Sequence, residues 1–339
     1  MNPVTSWARL KDPALLERKI TDLDLSISRT ALGPLIQKLY GELLSRDLIF
    51  YPPCFLADEW FCPVGVPAIG IPFYLAHPRL RRLERTMMLE AEGDSKTEFM
   101  KLIRHETGHA YSYAYQLFRK KKWRDLFGSA AAEYPETYRP RPYSRSYVIH
   151  LDNWYAQSHP DEDFAETFAV WLTPNLNWRS RYRGWKALEK LEYIDEIMSG
   201  IREKEPLVRP RFDPAEYAGL NLKLKTFYRR KKKDFDVEAP DFYDRDLRTL
   251  FTDVSGERGE MPAARYLKSR HSTIRDAVAR WTSEKKYAVD KLVGQLIERS
   301  KTLNLYVRKG DIVTDFHVAA YVTTLVDNHL FTGKFKRSK

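Results

Sequence analysis

The chain has 339 residues, of which 43% are hydrophobic and 13% aromatic, and its formal net charge is +11. This length and apolar content exclude a disordered chain and allow one large domain or two ordinary ones. The longest apolar stretch, 63–76, is interrupted by proline and glycine and is too short to span a bilayer. The N-terminus lacks a continuous apolar run, so we predict no secretory signal and expect the two cysteines to be reduced thiols in the cytoplasm.

Two aromatic and β-branched stretches, 48–56 and 68–76, come first along the chain and are punctuated by glycine and proline. Such stretches are typical of short strands. Pro72 cannot donate a hydrogen bond to a strand ladder, so we expect 69–75 to be an edge strand.

The sequence His105-Glu-Thr-Gly-His109 lies in a proline-free stretch, 98–118, whose apolar residues recur at helical spacing. Residues four apart share one face of a helix, so the two histidines can bind one metal ion. In an HExxH pattern Glu106 is not a ligand but the general base that takes a proton from zinc-bound water. Gly108 costs a helix about 1 kcal/mol relative to alanine, which a close approach of backbone, metal or substrate would explain. The pattern therefore predicts a buried helix that holds Zn²⁺.

A second helix is predicted over 160–172, because Pro160 is a favoured first helical residue and Pro174 ends the pattern. Glu166 lies between aromatic residues of this helix and would be costly to bury without a partner. A catalytic zinc ion needs a third protein ligand, so the metal is one such partner. The alternative is that Glu166 forms an ion pair with Arg104.

Five other residues in or near this helix compete for roles at the site. Asp161, Glu162 and Asp163 are possible ligands, but their place in the first turn is ordinary for carboxylates that complement the helix dipole. Asp163 is also suited to orient a ligand histidine by accepting a hydrogen bond from the ring nitrogen that does not bind the metal. Tyr155 or His159 is a candidate donor to the oxyanion, with Tyr155 preferred, although simple packing explains both residues equally well.

The HExxH helix and the later Tyr-Ala-x-x-His-Pro-x-Glu-Asp-Phe-Ala-Glu-Thr-Phe-Ala segment together resemble a family of zinc-binding metallopeptidases, a gluzincin-like group of zincins. The resemblance covers about the first 200 residues and implies an α+β, zincin-like domain with a small mixed sheet and an active-site helix. It implies His105, His109 and Glu166 as zinc ligands, Glu106 as general base, and an edge strand that holds an extended peptide. Two features depart from thermolysin-like gluzincins: the gap between His109 and Glu166 is longer, and Val170 replaces the aspartate expected four residues after the glutamate.

The C-terminal part of the chain differs in charge. Residues 1–205 carry a net charge of +1 and residues 206–339 a net charge of +10, including the basic runs 229–233 and 334–339. We predict a boundary after Glu205, followed by a mainly helical, basic region of unknown role. Its helices are indicated by apolar residues at i, i+3, i+4, i+7 and i+8 from Val289, and by the stretch 311–330. One interpretation of this charge is that the region binds nucleic acid or an acidic partner. The other is that it is a solvated basic face without a partner.

These patterns predict a cytoplasmic metallopeptidase that binds one Zn²⁺ ion and hydrolyses a peptide or protein substrate. A second hypothesis is a binding protein with an inactive or structural metallopeptidase-like domain, whose basic region binds nucleic acid or an acidic partner. A third is a metal-dependent hydrolase of other bonds, since a metal and a base do not choose the substrate.

Overall fold

The computed structural model describes residues 3–135, 138–209, 213–233, 243–253, 261–307 and 314–332, and most of these residues are helical. The chain divides into two compact units. Unit 1 is drawn from 1–87, 91–135 and 140–228, and unit 2 from 88–90, 136–139 and 229–339. The main division thus follows Tyr228, whereas the predicted boundary followed Glu205. Separate roles for the two parts of the chain stay a prediction.

The sheet of unit 1 contains two parallel strands, β1 (Cys54–Ala57) and β2 (Ile69–Pro72). This small sheet within a helical protein is compatible with the α+β class. In the described sheet β2 is one of two strands and so lies at an edge, as predicted, but it ends at Pro72 and a 3₁₀ turn follows at Phe73–Ala76. Gly70 also donates a backbone hydrogen bond to Phe61, which forms an isolated bridge with it. A Cβ atom at Gly70 would lie 2.7 Å from the Phe61 ring, so the absence of a side chain permits this second neighbour.

Most of the remaining described structure up to Lys233 is helical, and the last helix of this part continues past Tyr228 into unit 2. Short 3₁₀ turns lie at Pro3–Arg9, Thr21–Leu23, Ile27–Arg29, Phe73–Ala76, Leu117–Arg119 and Tyr155–Gln157. None of the helices in the described ranges combines the length and apolar character that a membrane crossing requires. The helices are α1 (Asp12–Leu16), α2 (Leu32–Leu44), α3 (Pro78–Met88), α4 (Lys96–Ala114), α5 (Lys121–Phe127), α6 (Pro160–Leu172), α7 (Trp178–Arg181), α8 (Ala187–Gly200), α9 (Pro214–Tyr217) and α10 (Leu224–Lys233).

Both predicted site helices form, and each has a defined N-terminus. Ser95 caps α4 by accepting a hydrogen bond from the backbone of Glu98, and His159 caps α6 through Nδ1, which accepts from the backbone of Asp161. Side-chain caps of this kind satisfy backbone donors that the first turn leaves free. Pro160 is the first residue of α6, as its fixed φ favours.

Close packing of α4 on α6 positions the site. A Cβ atom at Gly108 would lie 2.8 Å from the Ala165 Cα and 3.2 Å from the Phe168 Cβ, so glycine lets the two backbones approach. One turn away, the rings of Tyr111 and Phe168 stack with their centroids 5.3 Å apart. This contact accounts for the glycine within the motif, which helix propensity alone disfavours.

A buried ion pair joins α2 to α4. Arg104 donates to both carboxylate oxygens of Glu42, at 2.7 and 2.8 Å, and both residues are buried. Two parallel hydrogen bonds of this kind fix the orientation of both side chains. Arg104 is therefore engaged by Glu42 rather than by Glu166, which removes the alternative partner considered for Glu166.

Unit 2 has a core of its own, built from Leu267, Val278, Val293 and neighbouring apolar residues. The predicted amphipathic helix is confirmed: Val289, Leu292, Val293 and Leu296 are buried and Ile297 packs against the same core. The predicted helix over 311–330 is observed from Thr314, and its first three residues and the basic tail 334–339 lie outside the described residues. The helices after α10 are α11 (Asp244–Leu250), α12 (Ala263–Thr282), α13 (Lys286–Thr302) and α14 (Thr314–Thr332).

Candidate metal centre

His105 and His109 lie one turn apart on the same face of α4. Their Nε2 atoms are 3.2 Å apart, and the two residues are only 3% and 8% exposed. Two imidazole nitrogens at this separation are suited to face one metal ion.

Glu162 of α6 supplies a third donor atom to this cluster. Its Oε2 atom lies 3.0 Å from His105 Nε2 and 3.3 Å from His109 Nε2. A tetrahedral zinc ion with ligands at about 2.0–2.1 Å holds its donor atoms about 3.3 Å apart, so these three atoms have the spacing of a zinc site. Two imidazoles and a carboxylate are also a ligand set that catalytic zinc uses. The residues thus fit the metal that the sequence predicted.

Glu166 contacts the other side of the same histidine. Its Oε1 atom lies 2.8 Å from His105 Nδ1, and its Oε2 atom accepts a hydrogen bond from the Leu151 backbone at 2.7 Å. An Nδ1–H that donates to Glu166 leaves the lone pair of Nε2 free for a metal. Glu166 is thus placed to orient His105, whereas Glu162 occupies the position that was expected for Glu166.

Glu106 is buried beside the cluster with a residue exposure of 6%. Burial raises the pKa of Glu106, and the charges of His105 and His109 oppose this rise only in part. No described residue donates a hydrogen bond to its carboxylate. A buried carboxylate that the protein leaves without a donor, next to a metal site, is suited to take a proton from water.

The cluster favours protons on its histidines in the absence of a metal. Burial lowers the pKa of His105, but hydrogen bonds to Glu162 and Glu166 outweigh this effect and raise it well above the ordinary value. The pKa of His109 is also raised, because the charge of Glu162 outweighs burial. Burial raises the pKa of Glu162, but both histidines outweigh it and hold that pKa far below its usual range. A metal ion must therefore displace protons from this site.

The two candidate oxyanion donors lie in different environments. The Tyr155 ring lies beside His105, with the centroids 5.8 Å apart. Both nitrogens of His159 are engaged elsewhere: Nδ1 caps α6, and Nε2 donates to the Ala132 carbonyl at 3.0 Å. His159 is consequently a capping residue and is not free to act as the donor.

Asp163, considered as a support for a ligand histidine, faces away from the histidines. Its Oδ2 atom accepts a hydrogen bond from Lys190 of α8 at 2.5 Å, and both residues are buried. Burial raises the pKa of Asp163 to about 7, although Lys190 opposes the rise. Asp163 thus joins α6 to α8, and it is Glu166 that contacts the Nδ1 atom of His105.

Tyr134 is a site residue that sequence reasoning missed. Its hydroxyl donates to Glu162 Oε1 at 3.1 Å, and its ring stacks on His159 with the centroids 3.7 Å apart. Tyr134 lies in the segment between α5 and α6, where no helical or strand periodicity in the sequence singles out a site residue. A signal did exist for Glu162, because Glu162 and Glu166 repeat the four-residue spacing of the two histidines and so share one face of α6.

The comparisons with known proteins agree with this geometry. Residues 76–176, which include α4 and α6, match the family described as "Putative zinc-binding metallo-peptidase". The match confirms the predicted resemblance and covers less than half of the chain. No curated protein and no solved structure matches the chain significantly.

Proposed function

We propose that this chain, which matches a zinc metallopeptidase family over residues 76–176, is a zinc-dependent metallopeptidase that hydrolyses peptide bonds. The single observation that carries the proposal is the convergence of His105, His109 and Glu162 next to the buried Glu106. A structural zinc site would be closed by four protein ligands, whereas three ligands leave a position for water or substrate.

One Zn²⁺ ion would be held by His105 Nε2, His109 Nε2 and Glu162 Oε2. Glu166 would hold His105 in the tautomer and ring orientation that metal binding needs, as carboxylates behind ligand histidines do. This assignment gives Glu162 the ligand role that the resemblance implied for Glu166, and gives Glu166 the supporting role that was considered for Asp163. The distances at the two nitrogens of His105 support it.

The reaction would combine metal and protein groups. When bound, zinc lowers the pKa of a water molecule and polarises the peptide carbonyl. Glu106 accepts a proton from the attacking water, whose oxygen bonds to the carbonyl carbon, and delivers that proton to the amide nitrogen as the C–N bond breaks. Tyr155, beside His105, is our proposed donor to the oxyanion.

Three wider predictions accompany this function. The zincin-like fold, the cytoplasmic location and a peptide or protein substrate remain proposals. The hypothesis of a binding protein with a structural metal is less well supported, because such a site has no use for a free carboxylate at Glu106. We do not propose a nucleic-acid partner, since the charge of the C-terminal region is the single observation in its favour.

Substitution of Glu106 tests the proposal. Purified wild-type protein should contain zinc and cleave members of an unbiased peptide library. Glu106→Gln should retain zinc and lose activity by at least about 100-fold, because it removes the base and no ligand. Metal analysis and mass spectrometry of the digests would measure the two results.

Glu98→Gln is the matched control, because Glu98 is an exposed residue of the same helix. It should leave both zinc content and cleavage unchanged. Loss of zinc from Glu106→Gln, or unchanged turnover in it, would contradict the assigned role. A zinc-free wild-type protein that cleaves no peptide would contradict the function itself.

A further inference from the structure

Asp161, the second residue of α6, carries a buried carboxylate that has no partner. The residue is 8% exposed, and its Oδ1 atom is fully buried without a hydrogen bond. Among the residues that the structure describes, none pairs with this carboxylate as a salt-bridge or hydrogen-bond donor. Burial of an unpaired carboxylate is costly, so a native structure that contains one calls for an explanation.

The position of Asp161 in the first turn does not supply that explanation. A carboxylate there interacts favourably with the helix dipole, but this benefit is also available at the solvent-exposed surface. The backbone N–H of Asp161 is already capped by His159, so the carboxylate is not needed as a cap. The burial of the group therefore has another cause.

The surroundings of Asp161 are those of a subsite next to the metal centre. The charged groups that act most strongly on its carboxyl are His109, His159 and Glu162. Two tyrosines also lie within range of its charge, Tyr113 of α4 and Tyr134. Tyr113 is half-buried one turn after His109, and Tyr134 is 52% exposed, so this side of the cluster has access to solvent.

A buried carboxylate close to a tyrosine ring has the chemistry of a cation-binding site, and Tyr134 is close to Asp161 because its ring stacks on His159, whose Nδ1 accepts a hydrogen bond from the Asp161 backbone. Ammonium and guanidinium groups are attracted to the faces of aromatic rings and form charge-assisted hydrogen bonds with carboxylates. Such a group would provide the partner that Asp161 lacks and would compensate for its desolvation. A negatively charged or apolar group would leave the carboxylate unpaired.

We propose that Asp161 is a specificity-determining residue that binds a cationic group of the substrate beside the scissile bond. The inference rests on the proposed peptidase function. The cation is either a lysine or arginine side chain or the α-ammonium group of the peptide, since both present the same chemistry to a carboxylate. Tyr113 and Tyr134 form the walls of this subsite.

Peptide cleavage provides the first test. In an unbiased peptide library, wild-type protein should cleave preferentially beside lysine, arginine or a free amino terminus. Asp161→Asn should lower cleavage of those peptides by about tenfold or more, the effect expected for a lost charge-assisted hydrogen bond, and should leave uncharged peptides unaffected. Asp161→Glu should keep the preference, and Asp125→Asn, at an exposed site on α5, serves as control.

Peptide binding provides a test that does not depend on turnover. The probe is a fluorescent, N-acetylated alanine hexapeptide that carries one arginine, compared with its glutamine counterpart and with unacetylated alanine hexapeptide. Fluorescence anisotropy with Glu106→Gln protein should show tighter binding of the arginine or the unacetylated probe. Adding Asp161→Asn should abolish that difference. The better of the two cationic probes identifies the source of the cation.

The outcomes separate this inference from the proposed function. Cleavage without any cationic preference, or a preference that survives Asp161→Asn, would overturn the role of Asp161 and leave the peptidase function intact. If Asp161→Asn lost zinc and cleaved cationic and uncharged peptides equally poorly, Asp161 would be a support of the metal site. That result would also overturn the inference. A wild-type protein that neither cleaves peptides nor binds zinc would instead refute the function.

Discussion

Glu162 and Glu166 lie one turn apart in α6 and contact opposite nitrogens of one imidazole. Glu162 faces His105 Nε2 at 3.0 Å, and Glu166 faces His105 Nδ1 at 2.8 Å. A histidine held between a supporting carboxylate and a metal position is fixed in both tautomer and ring orientation. Two chemically identical side chains thus contact different nitrogens of one imidazole because of their positions on the helix.

Isosteric substitutions should separate these two roles. Glu162→Gln should weaken zinc binding more than Glu166→Gln, because it removes an anionic ligand rather than a support. Loss of a supporting carboxylate typically lowers metal affinity by about 10- to 100-fold. Competition with a fluorescent chelator at fixed pH would measure both affinities. Circular dichroism spectra would show whether the variants are folded, since both residues are buried.

The reverse order would restore the ligand set that the sequence indicated. If Glu166→Gln lost zinc while Glu162→Gln kept wild-type affinity, the third ligand would be Glu166. Glu192→Gln, in α8, is a suitable control because its side chain is exposed and lies outside the cluster.

The contact between α4 and α6 depends on Gly108, which has no side chain to separate the helices. The Ala165 backbone lies where a Cβ atom would be, and backbone atoms cannot move aside as a flexible side chain can. All four residues assigned to the cluster and its support lie on these two helices. A small separation of the helices would therefore move Glu162 away from both histidines.

Gly108→Ala should destabilise the protein and weaken zinc binding. Overpacking of this kind costs about 1–3 kcal/mol, which the better helix propensity of alanine offsets by up to about 1 kcal/mol. Chemical denaturation would measure the free energy of unfolding, and chelator competition the zinc affinity.

Gly41→Ala in α2 is the matched control for this substitution. A Cβ atom at Gly41 would meet no other atom within 4 Å, so the same change should be neutral or should stabilise by up to about 1 kcal/mol. Equal effects at the two glycines would contradict the role of Gly108 in helix packing.

Local patterns sufficed to predict both site helices, because HExxH spacing and a proline-bounded helix are properties of short segments. Which glutamate of α6 reaches His105 Nε2 was not predictable in the same way. Glu162 and Glu166 are both buried on that helix, and only the packed arrangement of α4 and α6 shows that Glu162 reaches Nε2 while Glu166 reaches Nδ1. The end of β2 at Pro72, short of the predicted Leu75, was not predictable either, since the 3₁₀ turn that follows consists of equally apolar residues.

At the scale of the whole molecule, the proposed metal donors come from distant parts of the chain. Glu162 follows His109 by 53 residues, so the unfolded chain does not hold these groups together. A metal that binds the native arrangement selectively stabilises it, by about 4 kcal/mol at a free concentration 1,000 times the dissociation constant. Protons compete with the metal, because the folded pKa values of both histidines are raised.

Zinc removal should therefore lower the thermal stability in a pH-dependent manner. Protonation of histidines with raised pKa values stabilises the metal-free protein below their unfolded pKa of about 6.5, and this contribution is lost as the pH rises through the folded pKa values. Zinc binds more tightly over the same rise in pH, because fewer protons then compete for the histidine nitrogens. The difference in melting temperature between zinc-loaded and chelator-treated protein should consequently be larger at pH 8 than at pH 6, as measured by calorimetry.

A difference that did not change with pH would contradict proton release from the cluster. The corresponding measurement on protein with His105→Ala should show a much smaller effect of zinc at both pH values, because one ligand and one titrating group are then absent. Calcium in place of zinc is a further control, since it prefers oxygen ligands.

The long connection between α4 and α6 has a consequence for how such sites diversify. Because the two helices hold each other through their own side chains and backbones, the length of the segment between them is not part of the coordination geometry. The entropy of closing a loop grows only slowly with its length, so insertions in this segment away from Tyr134, Leu151 and Tyr155, which contact the site, alter the chain's path at little cost to the metal centre. Relatives of this protein should thus differ widely in the number of residues between the two helices, and a search that fixes this interval would overlook many of them.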